Sequence, residues 1–175
     1  DQRSIGLEYD SWFLTSRDEK RLTAMLPNTR FVDCSGLVEQ GRLIKSPQEI
    51  VYIRQAARAA EAATLAAIET SVVGATENDV AAEAHRAQIL AGSEYTGLPI
   101  FINSGPRTVM AHSTWSRRRL EPNESVYFEP AGCVNRYHAA LIRQVWLGEP
   151  PTKVARTMEI IIDTLQKTKR QIRPG

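Results

Sequence analysis

The sequence predicts an α/β (α+β) chain in which an antiparallel sheet with flanking helices follows the tail of a smaller α/β unit. Three observations carry this. Residues 1–45 alternate short strand-like and helical segments; Ser46-Pro47-Gln48-Glu49 opens two successive helices; and Tyr95 to Trp146 changes to period-two and continuous apolar runs broken by short turns.

In the first unit, Ser4 to Glu8 reads as a strand and Asp10 to Leu26 as mostly helix, stopped at Pro27-Asn28. Arg30 to Cys34 is a second strand, and Leu37 to Ile44 is a short apolar–polar segment. Ser46 marks the domain boundary, with 1–45 on one side and 46–175 on the other. Its hydroxyl suits a helix N-cap, Pro47 fits the first turn, and Glu49 is placed to reach back. The helix behind it runs to about Thr70, with Ile50, Ile53, Ala57, Ala60, Thr64 and Ala67 on one predicted face. Thr76-Glu77-Asn78-Asp79 begins another helix that Gly92 closes. Strands are predicted near 98–103, 108–112, 125–130 and 137–147, antiparallel because the connections are short. After Pro150-Pro151, Thr152 is expected to cap a last amphipathic helix with Val154, Met158, Ile161, Ile162 and Leu165 inward, ending near Ile172. The chain opens on the strand-like S-I-G-L-E and closes on R-P-G, which together suggest a piece of a longer protein.

Composition removes several function classes. A net charge of +2, from 22 basic and 20 acidic side chains, implies no general attraction to nucleic acid or an anionic membrane surface. No run of about eighteen apolar residues is present, so no membrane-spanning helix is expected. Cys34 and Cys133 lie far apart, outside any C-x-x-C pairing, and read as free thiols in a reducing compartment, hence a cytoplasmic setting.

The residues that could carry chemistry cluster in V-Y-F-E-P-A-G-C-V-N-R-Y-H-A-A-L-I-R, residues 126–143, with His112 upstream in V-M-A-H-S-T-W. Glu129 lies in an apolar strand, where lost hydration disfavours a charged carboxylate unless a cation or hydrogen bonds compensate. Such a group suits acid–base work, nucleophilic attack or metal ligation, or simply a structural pair with Arg143. His112 closes a strand-like run and can move a proton near neutral pH. His138 alternates away from Tyr137 and is a second candidate imidazole. Arg143, between Ile142 and Gln144, is expected to be buried and so to need an acceptor, either Glu129 or a substrate carboxylate. Arg117-Arg118-Arg119 reads as a solvated hairpin, and His85 as a solvated helix residue.

Taken in order, these segments resemble the creatinase/aminopeptidase P group. L-I-K-S-P-Q-E-I is similar to that group's linker and opening helix. N-S-G-P-R-T-V-M-A-H-S is similar to the strand bearing its substrate-proximal histidine, here His112. L-E-P-N-E-S-V-Y-F-E-P-A-G-C-V-N-R-Y-H-A-A-L-I-R is similar to its metal hairpin. The resemblance spans essentially the whole chain. It implies the first half of a pita-bread fold, preceded by the tail of an α/β N-terminal domain, in a homodimer acting on a small-molecule substrate. In the metallopeptidases of the group the hairpin supplies two aspartates. This chain has Glu129 at the first position and Ala140, which has no donor, at the second, so no metal and no other cofactor is expected. The group's metal-free branches cleave C–N bonds in small zwitterionic solutes.

The wording F-E-P-A-G-C-V-N-R-Y-H-A-A is nearest to ectoine hydrolase, which implies Glu129 and His112 as catalytic residues and Arg143, Tyr137 and His138 as substrate-binding ones. Three other readings stay open: a metal-dependent Xaa-Pro aminopeptidase, a creatinase-like amidinohydrolase, and a catalytically silent binding domain.

Overall fold

The computed structural model describes residues 3–110 and 112–174. The chain divides into two units, Asp1–Gln48 and Glu49–Gly175. In the first, β1 (Arg3–Leu7) and β2 (Thr29–Asp33) pair in parallel, and α1 (Ser16–Met25) is the crossover that such a pair requires. α1 starts later than Asp10 because its cap is Thr15, whose hydroxyl accepts from the Asp18 amide, with Asp18 and Glu19 at the positive end of the helix. Gly6 is needed in β1, since a Cβ there would lie 2.2 Å from Cys34 Sγ. The apolar–polar segment after β2 is a short helix, α2 (Leu37–Leu43). Cys34 and Cys133 are free thiols.

The second unit takes in α3 (Pro47–Thr70) from Glu49 onward, followed by α4 (Glu77–Leu90). α3 buries Ala56, Ala59, Ala60, Ala63, Thr64 and Ala67, whereas Ile50 is partly exposed. The buried face is therefore rotated from the predicted stripe toward the smallest side chains. The reason is a close approach of backbone to backbone: a Cβ on Gly132 would lie 2.0 Å from the Ala56 carbonyl oxygen. α4 opens with a capping box in which Thr76 and Asp79 exchange side-chain-to-backbone bonds, and Gly92, at φ 91°, follows its end.

The sheet is antiparallel, in the order β3 (Phe101–Ser104), β4 (Ser125–Glu129), β7 (Arg143–Trp146), and a hairpin of β5 (Ala131–Val134) and β6 (Tyr137–Ala140) extends it. Among the described residues of 108–112, the predicted strand does not form. Gly105–Val109 forms a 3-10 turn instead, with Gly105 at φ 53°, Pro106 in the first turn and the Thr108 hydroxyl on the Gly105 carbonyl at 2.8 Å. Ile102, Val126 and Phe128 on one sheet face meet Ala63, Ala67 and Ala84 of the helices in the core. Phe128 is fully buried, a contribution of roughly 1.5–3 kcal/mol.

α5 (Thr152–Gln171) corrects two expectations. Its N-cap is Pro151, with Thr152 already helical. Of its apolar stripe only Val154 and Met158 are partly covered, while Ile161, Ile162 and Leu165 are about half exposed. A 3.6-residue period names the face a helix can bury, not the surface that buries it. No helix among the described residues is long and apolar enough to cross a membrane.

Candidate active site

The geometry of the site begins at a turn. Asn135 and Arg136, both at positive φ (48° and 65°), join β5 to β6 as a two-residue loop of the type whose twist matches a hairpin. That turn sets Val134 opposite Tyr137 and Ala131 opposite Ala140, and the Leu141 amide donates to the Pro130 carbonyl at 3.0 Å. The same register continues into β4 and β7, where Phe128 lies opposite Arg143 and Tyr127 opposite Gln144. Strand alternation then puts Tyr127, Glu129, Ala140 and Gln144 on one face and Phe128 and Arg143 on the other. Glu129 and Ala140 are diagonal neighbours across the hairpin, an arrangement with Cα atoms about 7–8 Å apart. Where that face could carry two carboxylates, it carries one.

Glu129 is 18% exposed and accepts a 2.6 Å hydrogen bond from the Tyr127 hydroxyl. Burial, reinforced by the Glu129 hydrogen bond and charge, pushes the Tyr127 phenol up to about 12, so Tyr127 is a fixed donor throughout the physiological range. His112 Nε2 stands 3.7 Å from Glu129 Oε2, within ion-pair range but too long for a direct hydrogen bond. The imidazole stacks on Phe101 with ring centroids 4.8 Å apart, and Phe101 is itself the cross-strand partner of Glu129. His112 adopts φ 55°, uncommon outside glycine and of the kind that gathers at working sites. Its side chain is 68% exposed, so the pair opens to solvent on the histidine side.

The other sequence candidates lie elsewhere. Tyr137 faces α3: its hydroxyl donates to Glu49 at 2.7 Å and its ring packs 5.7 Å from Tyr52. His138 accepts from the Gly97 amide at 3.3 Å through Nε2 and meets the Arg136 carbonyl at 3.1 Å through Nδ1, contacts that fit the Nδ1–H tautomer and fasten the loop at Gly97 to β6. The expectation of a buried Arg143 is corrected. It is exposed, donates to the adjacent Ile142 carbonyl at 2.7 Å, and leaves the sheet on the face opposite Glu129. The arginine run is not simply solvated either. Arg118 grips Glu124 in a two-pronged pair at 2.5 and 2.6 Å, and Arg119 donates to the Gly74 carbonyl. His85 is half-buried, edge-on to Trp115 at 5.4 Å.

Two residues of this face escaped the sequence reading. Tyr127 was within reach of it, because positions two apart on a strand share a face. Asn103, opposite Tyr127 on β3, is fully buried; its amide donates to the Met110 carbonyl at 3.0 Å while Oδ1 has no partner among the described residues. No signal in the sequence marks that residue, since only the pairing of β3 with β4 brings it there.

Catalytic zinc sites take three protein ligands beside an open position. Here the face offers one carboxylate and one imidazole, Ala140 adds no donor, and no group of three His, Cys, Asp or Glu among the described residues could hold a metal. The described residues of this chain do not fit a resident metal by themselves.

Comparison with known proteins agrees with the fold. The pattern of metallopeptidase family M24 matches residues 51–175. An uncharacterized hydrolase/peptidase, y4tM, of Sinorhizobium fredii is 33% identical over 99% of this chain and 45% of its own length. The ectoine hydrolase of Halomonas elongata is 28% identical over 98% of this chain and 45% of its own. Among solved structures, the prolidase of Pyrococcus horikoshii superposes with a TM-score of 0.86 at 27% identity, over 94% of this chain and 47% of that one. The chain thus spans less than half the length of the relatives it matches.

Proposed function

The chain belongs to metallopeptidase family M24, a family of hydrolases with the pita-bread fold, and from that premise we propose that its protein hydrolyses a C–N bond in a small zwitterionic solute without a metal, in the manner of an ectoine hydrolase. The observation that carries the reading is the diagonal pair on the hairpin: a carboxylate at Glu129, hydrogen-bonded by Tyr127, beside a methyl group at Ala140. A face with one carboxylate and a neighbouring imidazole is equipped for proton transfer rather than for bridging two cations.

A cyclic amidine resists water because its charge is delocalised, so hydrolysis needs both an activated nucleophile and a proton donor for the leaving nitrogen. In the proposed reaction Glu129 takes a proton from a water as the water oxygen bonds to the amidine carbon. The C–N bond then breaks as protonated His112 delivers its proton to the departing nitrogen. The hydroxyl of the former amidine carbon becomes the amide carbonyl, and its proton returns to the vacated imidazole. The proton held by Glu129 passes through solvent to the freed amine, leaving an N-acetyl-diaminobutyrate. Tyr127 holds Glu129 in one orientation during the transfer. Because Arg143 projects from the other face, the substrate carboxylate is not assigned to it.

The test is turnover of ectoine by the full-length protein, with and without a chelator, beside its Glu129→Gln variant. Chelator-resistant activity that falls by about 10²–10⁴-fold in the variant is expected for a general base. Unchanged turnover in Glu129→Gln would end the reading. A second reading, a metal-dependent Xaa-Pro dipeptidase, draws on the likeness to prolidase; chelator-sensitive cleavage of an Xaa-Pro dipeptide without ectoine turnover would establish it instead.

A further inference from the structure

His112 stands on a loop, and something must hold that loop still. In its described residues, the segment from Ser104 to Ser116 leaves the end of β3, passes through the 3-10 turn, carries His112 over Phe101 and returns along β3, where Thr114 bridges to Phe101. Its ends meet at one buried side chain. Glu77, at the start of α4, is fully buried. Its Oε1 accepts from the amide and hydroxyl of Ser104, at 2.8 and 2.7 Å. Its Oε2 accepts from the amide and hydroxyl of Ser116, at 2.7 and 2.8 Å, and from Arg107. Arg107 reaches on to the Ser113 hydroxyl at 3.0 Å and the Thr114 carbonyl at 2.8 Å, one and two residues past His112.

We propose that Glu77 is a positioning residue for the His112–Glu129 pair, one carboxylate oxygen fastening each end of the loop that delivers the imidazole. The assignment rests on the catalytic reading of those two residues. A cap or a core salt bridge would need only one of these contacts. Here a single carboxylate takes up donors from both loop termini, and Arg107 carries the constraint to the residues beside His112. Burial alone pushes the Glu77 carboxyl up, but the Ser104 and Ser116 hydrogen bonds and the Arg107 charge outweigh it and hold the group below its ordinary range. The clamp is therefore charged at neutral pH, which matters because a charged acceptor binds its donors about twice as strongly as a neutral one. A Gln in its place keeps the shape but turns one oxygen into a donor facing Ser116 and Arg107.

The experiment compares Glu77→Gln and the milder Ser116→Ala with the native protein, reading the His112 imidazole resonances by NMR and the kcat and KM of the full-length enzyme. The Phe101 stack gives the native His112 ring a ring-current displacement. In Glu77→Gln that displacement is expected to collapse toward the value of a free histidine, and kcat to fall about 10²-fold with KM within about twofold, as for a reacting group held about 1 Å out of place. A folded Glu77→Gln protein with an unmoved His112 resonance would reduce Glu77 to a fold staple and overturn the proposal. Should that variant fail to fold, Ser116→Ala decides: a displaced His112 resonance supports the clamp, and an unchanged one refutes it. If His112→Ala retains full turnover, the catalytic reading falls while the resonance result still judges the clamp on its own.

Discussion

Replacing Gly132 with alanine is a severe test of the packing described here, because the new methyl group has nowhere to go. Its Cβ would lie 2.0 Å from the Ala56 carbonyl oxygen, 2.8 Å from the Ala56 carbonyl carbon and 3.0 Å from the Ala59 Cβ. Ordinary contact for such atoms begins near 3.4 Å, so the deficit is about 1.4 Å against backbone in the middle of α3. A helix carbonyl engaged in its own ladder cannot swing aside, so β5 must back away from the helix. Overpacking a core costs typically 1–3 kcal/mol and occasionally more. With backbone on both sides, the loss is expected at the top of that range, about 3 kcal/mol. At a urea dependence of about 2 kcal/mol/M this moves the midpoint down by roughly 1.5 M. The matched control is Gly97→Ala in the same unit, where the nearest atom is His138 Nε2 at an ordinary 3.9 Å and the change should stay within about 0.5 kcal/mol. Urea unfolding followed by far-UV circular dichroism measures both. A Gly132→Ala loss below 1 kcal/mol, or no larger than that of Gly97→Ala, would refute the close approach of β5 to α3 and the buried face assigned to α3.

Three further outcomes are expected. In a spectrophotometric titration one of the five tyrosines, Tyr127, should ionise near 12, and in Glu129→Gln its value should fall only part of the way toward 10, because burial is the larger cause; the fold favours its neutral form, so that contribution is present below pH 10 and is lost as pH rises through about 12. Glu77, held below its ordinary value of 4.5, contributes stability that is fully present above that pH and is lost as pH falls below it. Comparing acid unfolding of the native and Glu77→Gln chains should show the gap between them closing below pH 4.5, and a gap that stays constant there would contradict the charged clamp. Ala140→Asp adds a second carboxylate diagonal to Glu129 and should create a Mn²⁺-dependent rise in Tm of a few degrees that the native chain lacks; an equal rise in both would mean that Ala140 does not decide cation binding.

Much of the architecture was legible because local rules and tertiary packing agree. The Thr76–Asp79 box, the run of α3 to Thr70 and the Gly92 stop are set by neighbours within four residues, so a linear reading finds them. Glu129 and His112 were legible as residue types in an ordered series of segments. The strand predicted over 108–112 failed because Gly105 and Pro106 impose a turn that apolar alternation does not report. Arg143 was misjudged for a related reason: its apolar neighbours describe the strand, whereas exposure depends on what lies over that position.

By itself, then, the sequence determined the order of elements, the place of the hairpin and the substitution of a methyl group at Ala140. The tertiary structure alone decided which of these residues meet. Glu129, Tyr127 and Phe101 come together through cross-strand register, and His112 joins them through a loop pinned at a carboxylate 35 positions earlier in the chain. Tyr137 and His138, within the same hairpin, turn instead to α3 and to Gly97. The physical reason is that helix caps and turns are satisfied over a few residues. A site is assembled from pairings across dozens, and a period of two says which residues share a face but not what that face will meet.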